Sequence, residues 1–205
     1  MVFLFVLFLC DPVYSQTTKY VYACGDQSSV QTWTESREGN QIHLKTVQGS
    51  EIHQYVMTAD YQTVSWKYFD AVKNTKLEVV LEQGVYRING ILRSRPYSKT
   101  LPSRGNPWYQ NVGFHVGYSI EGKTDFTFEC IRPDNLKCYE MQAETKELIN
   151  HEGKLEQRIY IHLTGMLARF FGSDYYIDPS TQQFVRYKGV HGPPGTPETT
   201  ITIIK

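Results

Sequence analysis

Apolar and polar residues alternate with a period close to two along most of the chain, which is typical of strands that bury one face. Tyr, Phe, Thr, Val and Ile, which favour strands, are plentiful in these segments. Besides three hairpins, the alternation predicts strands at 28–36, 63–70, 155–167, 174–178, 184–190 and 199–204.

Turn residues assign the register of the first hairpin. A two-residue turn at Gly49-Ser50 places Leu44 opposite Tyr55. One face then carries Ile42, Leu44, Tyr55 and Met57. Because the opposite face is mainly polar, the register and the polarity agree, and we predict that the apolar face packs against a core.

The second hairpin turns at Gln83-Gly84, which pairs Leu81 with Tyr86. Its apolar face consists of Leu77, Val79, Leu81, Tyr86 and Ile88. Charged residues alternate with them and face water in this register, so this hairpin too has one buried face.

The third hairpin runs from 125 to about 147 and turns at Pro133-Asp134-Asn135, residue types that suit a three-residue loop. That loop places Cys130 directly opposite Cys138, at a separation that a disulfide can bridge. We therefore predict a stabilising Cys130–Cys138 disulfide. The alternative is two unpaired buried thiols.

The segment 107–119 departs from the alternation. Its apolar residues recur at a spacing of three to four after Asn106-Pro107, which predicts one short helix. Gly113 and Gly117 oppose that prediction, since each costs about 1 kcal/mol in a helix interior relative to Ala.

About ten strands, one short helix and no alternation of helices with strands predict a mainly β fold. We expect a curled antiparallel sheet that forms an open or half barrel. A sandwich and a closed barrel have the same sequence pattern. A closed barrel of the lipocalin type ranks below the open form, because the Gly-x-Trp signature is missing around Trp33.

The start of the chain predicts export. Residues 2–9 form an unbroken apolar run, too short for the roughly 20 residues that span a bilayer but typical of a secretory signal with cleavage after Ser15. We therefore predict a signal peptide at 1–15 and a single antiparallel β domain at 16–205, located in the periplasm or cell envelope. A lipoprotein signal acylated at Cys10 is the alternative, and it would tether the protein to a membrane.

The charge and the length of the chain limit the classes of partner that we expect. The chain has 21 basic and 21 acidic residues, so nothing in its charge favours nucleic acid or an anionic membrane as partner. After cleavage, a domain of this size can bury enough surface to fold without a metal or disulfide. No transmembrane segment is expected in it, and Cys24 is left over once Cys130 and Cys138 pair.

Motifs for catalysis or metal binding are missing. The histidines are His43, His53, His115, His151, His162 and His191, and none has a zinc-site spacing. In the first hairpin His43 and His53 also lie on opposite faces, so they cannot share a metal ion. The run Gly117 to Glu121 begins like a nucleophile elbow but lacks its second glycine. We expect no cofactor and no metal.

Aromatic residues cluster in three dense groups, around 66–69, 108–114 and 170–176. Packing in a core explains them in general. The sharper interpretation is an apolar cavity, since barrels of this size often hold one hydrophobic ligand. Its candidate ligand contacts are Trp66, Tyr68, Trp108, Tyr109, Phe114, Tyr118 and Tyr175.

Several motifs in the second half resemble a set of uncharacterised exported bacterial proteins. They are FECIRPDNLK at 128–137, LTGML at 163–167, DYYID at 174–178, FVRYKG at 184–189 and GPPGTP at 192–197. The resemblance covers roughly 75–204 and implies a curled antiparallel half-barrel in the bacterial envelope, distantly similar in shape to periplasmic lipoprotein-localisation carriers. It implies no catalytic residue.

These observations favour a non-enzymatic envelope protein that binds a lipid or another apolar ligand in the concave face of the sheet. The alternative is an interaction module that holds a partner protein by a sheet edge or by the loop at 189–197. A hydrolase with carboxylates on the sheet comes third, because no pair of acidic residues stands out.

Overall fold

The computed structural model describes residues 14–119, 125–165, 172–190 and 196–204. Nearly all of the predicted signal peptide, including Cys10, and the centre of the loop at 189–197 lie outside these residues. The described chain contains fourteen strands and one helix. They are β1 (Ser15–Cys24), β2 (Gln27–Glu38), β3 (Gln41–Gln48), β4 (Glu51–Thr58), β5 (Thr63–Asp70), β6 (Thr75–Glu82), β7 (Val85–Leu92), β8 (Arg95–Pro102), α1 (Val112–Ser119), β9 (Asp125–Ile131), β10 (Cys138–His151), β11 (Lys154–Leu163), β12 (Gly172–Ile177), β13 (Phe184–Val190) and β14 (Glu198–Ile203).

All fourteen strands belong to one antiparallel sheet. Strands that follow each other in sequence pair with each other except at β8 and β9, and β1 pairs with β14. The two edges are therefore β8 and β9, and within the described residues they do not pair. The sheet is curled but not closed, which confirms the expected open or half barrel and distinguishes it from the sandwich and the closed barrel that share its sequence pattern.

The edge strand β9 lies inside the curl. Its neighbouring residues Phe128 and Glu129 are both 0% exposed, so both faces of the strand are covered. One face contacts residues of β7, since the Tyr86 hydroxyl donates a hydrogen bond of 2.5 Å to Glu129. The Lys99 ammonium of β8 donates to the carbonyl of Leu136, which follows β9. The two edges of the sheet thus overlap, with β9 and the residues after it packed against β7 and β8.

The helix is shorter than the segment predicted at 107–119. Asn111 caps its first turn by accepting a hydrogen bond of 3.1 Å from the Phe114 amide. The preceding residues are extended instead, because Trp108 forms a parallel bridge with Glu129 of β9 and its carbonyl accepts from the Thr63 amide. The described chain contains no helix with the length and apolar character needed to cross a membrane.

Both glycines of α1 allow a close approach to neighbouring residues, in β2 and in the loop before β13. A Cβ atom at Gly117 would overlap the carbonyl oxygen of Gln182, and one at Gly113 would lie 3.1 Å from Cη2 of Trp33. The cost of glycine in the helix interior is therefore offset by packing that a larger residue would block.

The first two hairpins have the predicted register. Leu44 lies opposite Tyr55 and Leu81 opposite Tyr86. Their predicted apolar faces are the buried faces of β3, β4, β6 and β7, with Leu81 only partly buried. In both cases the two-residue turn and the alternation specify the same face, which is why the register could be predicted.

The predicted register of the third hairpin, and with it the Cys130–Cys138 disulfide, is wrong. Cys130 lies opposite Tyr139, and Cys138 lies opposite Ile131. The loop is longer than predicted because Leu136, which is buried, takes the left-handed conformation at φ 50°. A slip of one residue places the two cysteines on opposite faces, and both are free thiols, as is Cys24.

The alternation predicts β5 and β13 with their observed bounds and misses β1 and β8. β8 is mostly exposed and contains Pro96 and Pro102, residues that are confined to edge strands and strand ends. β1 begins at Ser15, beside the predicted cleavage site, and its first three residues are exposed. Neither strand carries a regular apolar stripe.

Candidate ligand-binding cavity

The inner face of the sheet and the start of α1 enclose a cavity of about 800 Å³. Its central wall is aromatic and aliphatic and includes Trp33, Tyr55, Ile161, Tyr175, Phe184 and Tyr187. These six side chains come from five strands, because alternate residues of each strand point to the same concave surface. The cavity is therefore a product of the curl, not of any local motif.

One end of the cavity is charged. Consecutive antiparallel strands run in opposite directions, so the turns after β5, β7 and β9 lie at the same end of the sheet. They contribute Lys73, Arg93 and Arg132 to the cavity lining, and we call these three residues the basic rim. The carboxylates of Glu51 and Asp134 line the same end.

Lys73 is held in place by two carboxylates. Its ammonium lies 2.8 Å from Glu51 and 2.9 Å from Asp70, and these hydrogen bonds raise the pKa of Lys73. Burial alone would raise the pKa of Asp70, but hydrogen bonds from Lys73 and Ser50 lower it to about 2. Asp70 also accepts from the amides of Val72 and Lys73, which fixes the turn after β5.

Arg132 forms a bidentate ion pair with Asp134, at 3.0 and 2.9 Å. Arg93 differs from the other two members of the basic rim, since it forms no ion pair with any described residue. An exposed arginine without an ion-pair partner among the described residues therefore lies at the charged end of a cavity whose central wall is apolar.

His53 closes the aromatic wall below the basic rim. Its ring packs against Tyr55 and against Tyr68, whose centroid is 4.8 Å away. Nδ1 of His53 accepts a hydrogen bond of 3.1 Å from the indole nitrogen of Trp66. Trp66 is 0% exposed and lies behind His53, so it supports the wall without forming it.

Of the predicted ligand contacts, only Tyr68 and Tyr175 line this cavity. Phe114 and Tyr118 line a second cavity of about 270 Å³ near the opposite end, next to the loop that precedes β13. Trp33 and Phe184 stack at 5.4 Å and line both cavities. Trp66, Trp108 and Tyr109 are packed in the core.

Trp108 and Tyr109 instead join α1 to the overlapping edge. The Trp108 ring meets Tyr86 edge-on at 5.1 Å, and its indole nitrogen donates to the buried Gln110 side chain. The Gln110 side chain also donates to the backbone carbonyl of Ile131 and accepts from its backbone amide, as the backbone of a neighbouring strand would. Density of aromatic residues alone does not separate this structural role from a ligand contact.

The cavity residues that the aromatic clusters miss are isolated in sequence. Trp33, Tyr55, Phe184 and Tyr187 each lie on an inner face, and only the alternation along their strands could have identified them. The basic rim has no sequence signal at all, because its three members come from separate turns.

The helix α1 is anchored by a neutral histidine. Nδ1 of His115 donates to the Asn111 carbonyl, since a carbonyl can only accept, and Nε2 therefore accepts from the Thr63 hydroxyl at 3.0 Å. Burial lowers the pKa of His115 to about 4. The side chain thus stays uncharged at neutral pH and holds α1 against the start of β5.

The described residues contain no group of three or more His, Cys, Asp or Glu side chains that could hold a metal ion. Three of their carboxylates are buried, namely Asp70, Glu129 and Glu156. Asp70 forms an ion pair with Lys73, and Glu156 forms one with Arg186. Glu129 is the one buried carboxylate of the described residues that has no ion-pair partner among them. Cys130 lines the cavity, but burial raises its thiol pKa to about 12, so it is protonated at neutral pH.

Comparison with known proteins gives a likeness of fold. No protein-family model and no curated protein matches the sequence. A solved structure, the β-barrel-like protein of the domain of unknown function DUF1849 from Brucella abortus, matches with a TM-score of 0.61 at 9% identity. The match covers 94% of this chain and 96% of that one. In fold, the chain is therefore similar to a β-barrel-like protein that itself has no assigned function.

Proposed function

We propose that this protein binds one apolar small molecule, such as a lipid acyl chain, in the main cavity. We further propose that it does so as a non-enzymatic exported protein of the cell envelope. The observation that carries the proposal is the cavity of about 800 Å³, which lies within the range of about 300–1,000 Å³ found for small-molecule sites. Its apolar wall would gain free energy by contact with a chain, at roughly 25 cal/mol per Å² buried.

The arrangement of the wall supports a binder. The side chains around it are held by their own contacts: Tyr187 meets Tyr175 edge-on at 4.9 Å, and Trp33 stacks on Phe184. A wall that is already ordered loses little entropy when a ligand enters. An apolar chain is also the ligand class that such a surface recognises without specific polar contacts.

The test is native mass spectrometry of the mature protein, purified gently from its own envelope, before and after organic extraction. We expect a stoichiometric adduct of lipid size that extraction removes. An apo mass that persists after incubation with envelope lipids would contradict the proposal.

A matched pair of variants locates the bound molecule. Ile201 of β14 lines the cavity, whereas Val21 of the neighbouring strand β1 is 41% exposed on the other face. We expect Ile201→Trp to fill part of the cavity and remove the adduct, and Val21→Trp to retain it. Equal adducts in both variants would place the ligand elsewhere.

A second candidate function is capture of a partner strand by the edge of β8. No described strand pairs with the outer side of β8. Pro96, Lys99 and Pro102 are residue types that protect edges from pairing, which ranks this function second. Cross-linking in envelope extract tests it, and equal recovery of partners with a Thr100→Pro variant would contradict it.

A further inference from the structure

The basic rim and the apolar wall belong to one cavity, and together they define a ligand with two chemically different ends. We propose that the ligand is an anionic amphiphile whose carboxylate or phosphate head is bound by Arg93 and whose chain lies along the aromatic wall. This inference rests on the proposed function, because Arg93 can select a head group only if a chain occupies the cavity.

The charge balance singles out Arg93. The charged groups at this end are the basic rim and the carboxylates of Glu51, Asp70 and Asp134. Lys73 and Arg132 already have carboxylate partners, so neither is available without breaking an ion pair. Arg93 has none among the described residues, and its guanidinium can bind two oxygens of a carboxylate or phosphate at once.

The turn that carries Arg93 is fixed to the turn that carries Lys73. The Ser94 amide donates to the Asn74 carbonyl at 3.0 Å, and the Asn74 side chain donates to the Ser94 hydroxyl at 2.7 Å. The Arg93 amide donates to the hydroxyl of Thr75, which is buried. The head-group site is therefore built on a rigid pair of turns.

The backbone at Arg93 is unusual for an arginine. Arg93 and Ser94 both have positive φ, at 49° and 67°, in a two-residue turn where Asn and Gly are the usual residues. Such strain persists only where the surroundings hold it, and it is common at ligand sites. Here it places a long cationic side chain on the lining of the cavity.

The experiment compares three probes with the same chain, namely dodecyl phosphate, dodecanoate and dodecanol, by calorimetric titration of the full mature protein at pH 8. We expect at least one anionic probe to bind about tenfold or more tightly than dodecanol, the scale of a charge-assisted hydrogen bond. The stronger of the two anionic probes identifies the head as carboxylate or phosphate.

Variants assign the preference to one residue. Arg93→Gln should reduce the preference for the anionic probe to less than about threefold, and Arg93→Lys should keep part of it. Arg93→Asn is a second variant with the same expectation, since Asn tolerates the left-handed conformation. Arg95→Gln is the control. It also removes one positive charge, two residues along the chain from Arg93, but the Arg95 side chain does not line the cavity.

The outcomes are separable. Equal binding of dodecanol and both anionic probes would overturn the head-group inference and leave the proposed function intact. If Arg93→Gln and Arg95→Gln lowered the preference for the anionic probe equally, the preference would come from the overall charge of the protein. That result would overturn the assignment of the head-group site to Arg93. No binding of any probe would contradict the proposed function itself, and this inference with it.

Discussion

Tyr86 of β7 and Glu129 of the edge strand β9 are joined by a hydrogen bond of 2.5 Å, which links β9 to the strand beside the other edge, β8. Glu129 is 0% exposed and also accepts from the Arg104 amide and the Cys138 thiol. No described Lys, Arg or His forms an ion pair with it. The overlap of the edges therefore depends on neutral donors that surround a buried carboxyl group, and no backbone ladder joins β8 to β9.

The first prediction concerns this contact. Tyr86→Phe should lower the free energy of unfolding by about 1–3 kcal/mol, because the buried carboxyl group of Glu129 loses a donor that water cannot replace. Chemical denaturation measures the change. The control is Tyr139→Phe, since the Tyr139 hydroxyl only accepts a bond from Asn135 at the surface. Equal losses in the two variants would show that the edge contact contributes nothing particular.

The second prediction concerns pH. The pKa of His115 is about 4 in the folded protein, because of burial, and its ordinary value is 6.5. Between these values the unfolded chain binds a proton that the folded protein does not, so stability falls as the pH falls. The loss should be about 1.4 kcal/mol per pH unit, or about 3 kcal/mol between pH 6.5 and 4.

His115→Gln should remove this part of the pH dependence, whereas His151→Gln, at the last residue of β10, should keep it. Thermal unfolding between pH 4 and 7.5 provides the measurement. Parallel curves for the wild type and His115→Gln would mean that His115 does not stay neutral when folded.

The third prediction concerns the packing of α1. Gly117→Ala should destabilise the protein by about 1–3 kcal/mol despite the better helix propensity of Ala, because its Cβ would overlap the carbonyl oxygen of Gln182. Gly113→Ala should cost less, since its Cβ would meet the end of the Trp33 ring at 3.1 Å. Denaturant titration of both variants gives the order, and the reverse order would contradict the packing of α1.

The fourth prediction concerns the thiols. Burial raises the thiol pKa values of Cys130 and Cys138 to about 12, helped at Cys138 by Glu129, so both should resist alkylation in the folded protein at pH 8. Iodoacetamide labelling followed by mass spectrometry should show modification only after unfolding. A mass without reduction that is two hydrogens lower than the mass after reduction would show a disulfide, and it would contradict the observed register of β9 and β10.

Prediction from sequence succeeded where local and long-range requirements coincide. In the β3–β4 and β6–β7 hairpins the two-residue turns and the apolar alternation specify the same register, and the buried faces agree with it. In the third hairpin they differ, because Leu136 extends the loop to bury its side chain in the core. A contact that is distant in sequence thus decided the register, and it moved Cys130 and Cys138 to opposite faces.

The candidate site shows the same division. Tyr68 and Tyr175, which belong to dense aromatic runs, line the cavity, yet Trp66 and Trp108 in similar runs are core residues. Whether an inner-facing aromatic side chain touches a cavity depends on what packs opposite to it, which alternation does not report.

The sequence by itself determined an antiparallel, mainly β fold with one short helix, because side-chain period and turn chemistry are local properties. Only the tertiary structure decided that Tyr86 of β7 meets Glu129 of the edge strand β9 and that a cavity remains beside α1. It alone brought Lys73, Arg93 and Arg132 to one end of that cavity. The reason is physical: the curl of the sheet sets which distant positions meet, and it results from the packing of all the strands together.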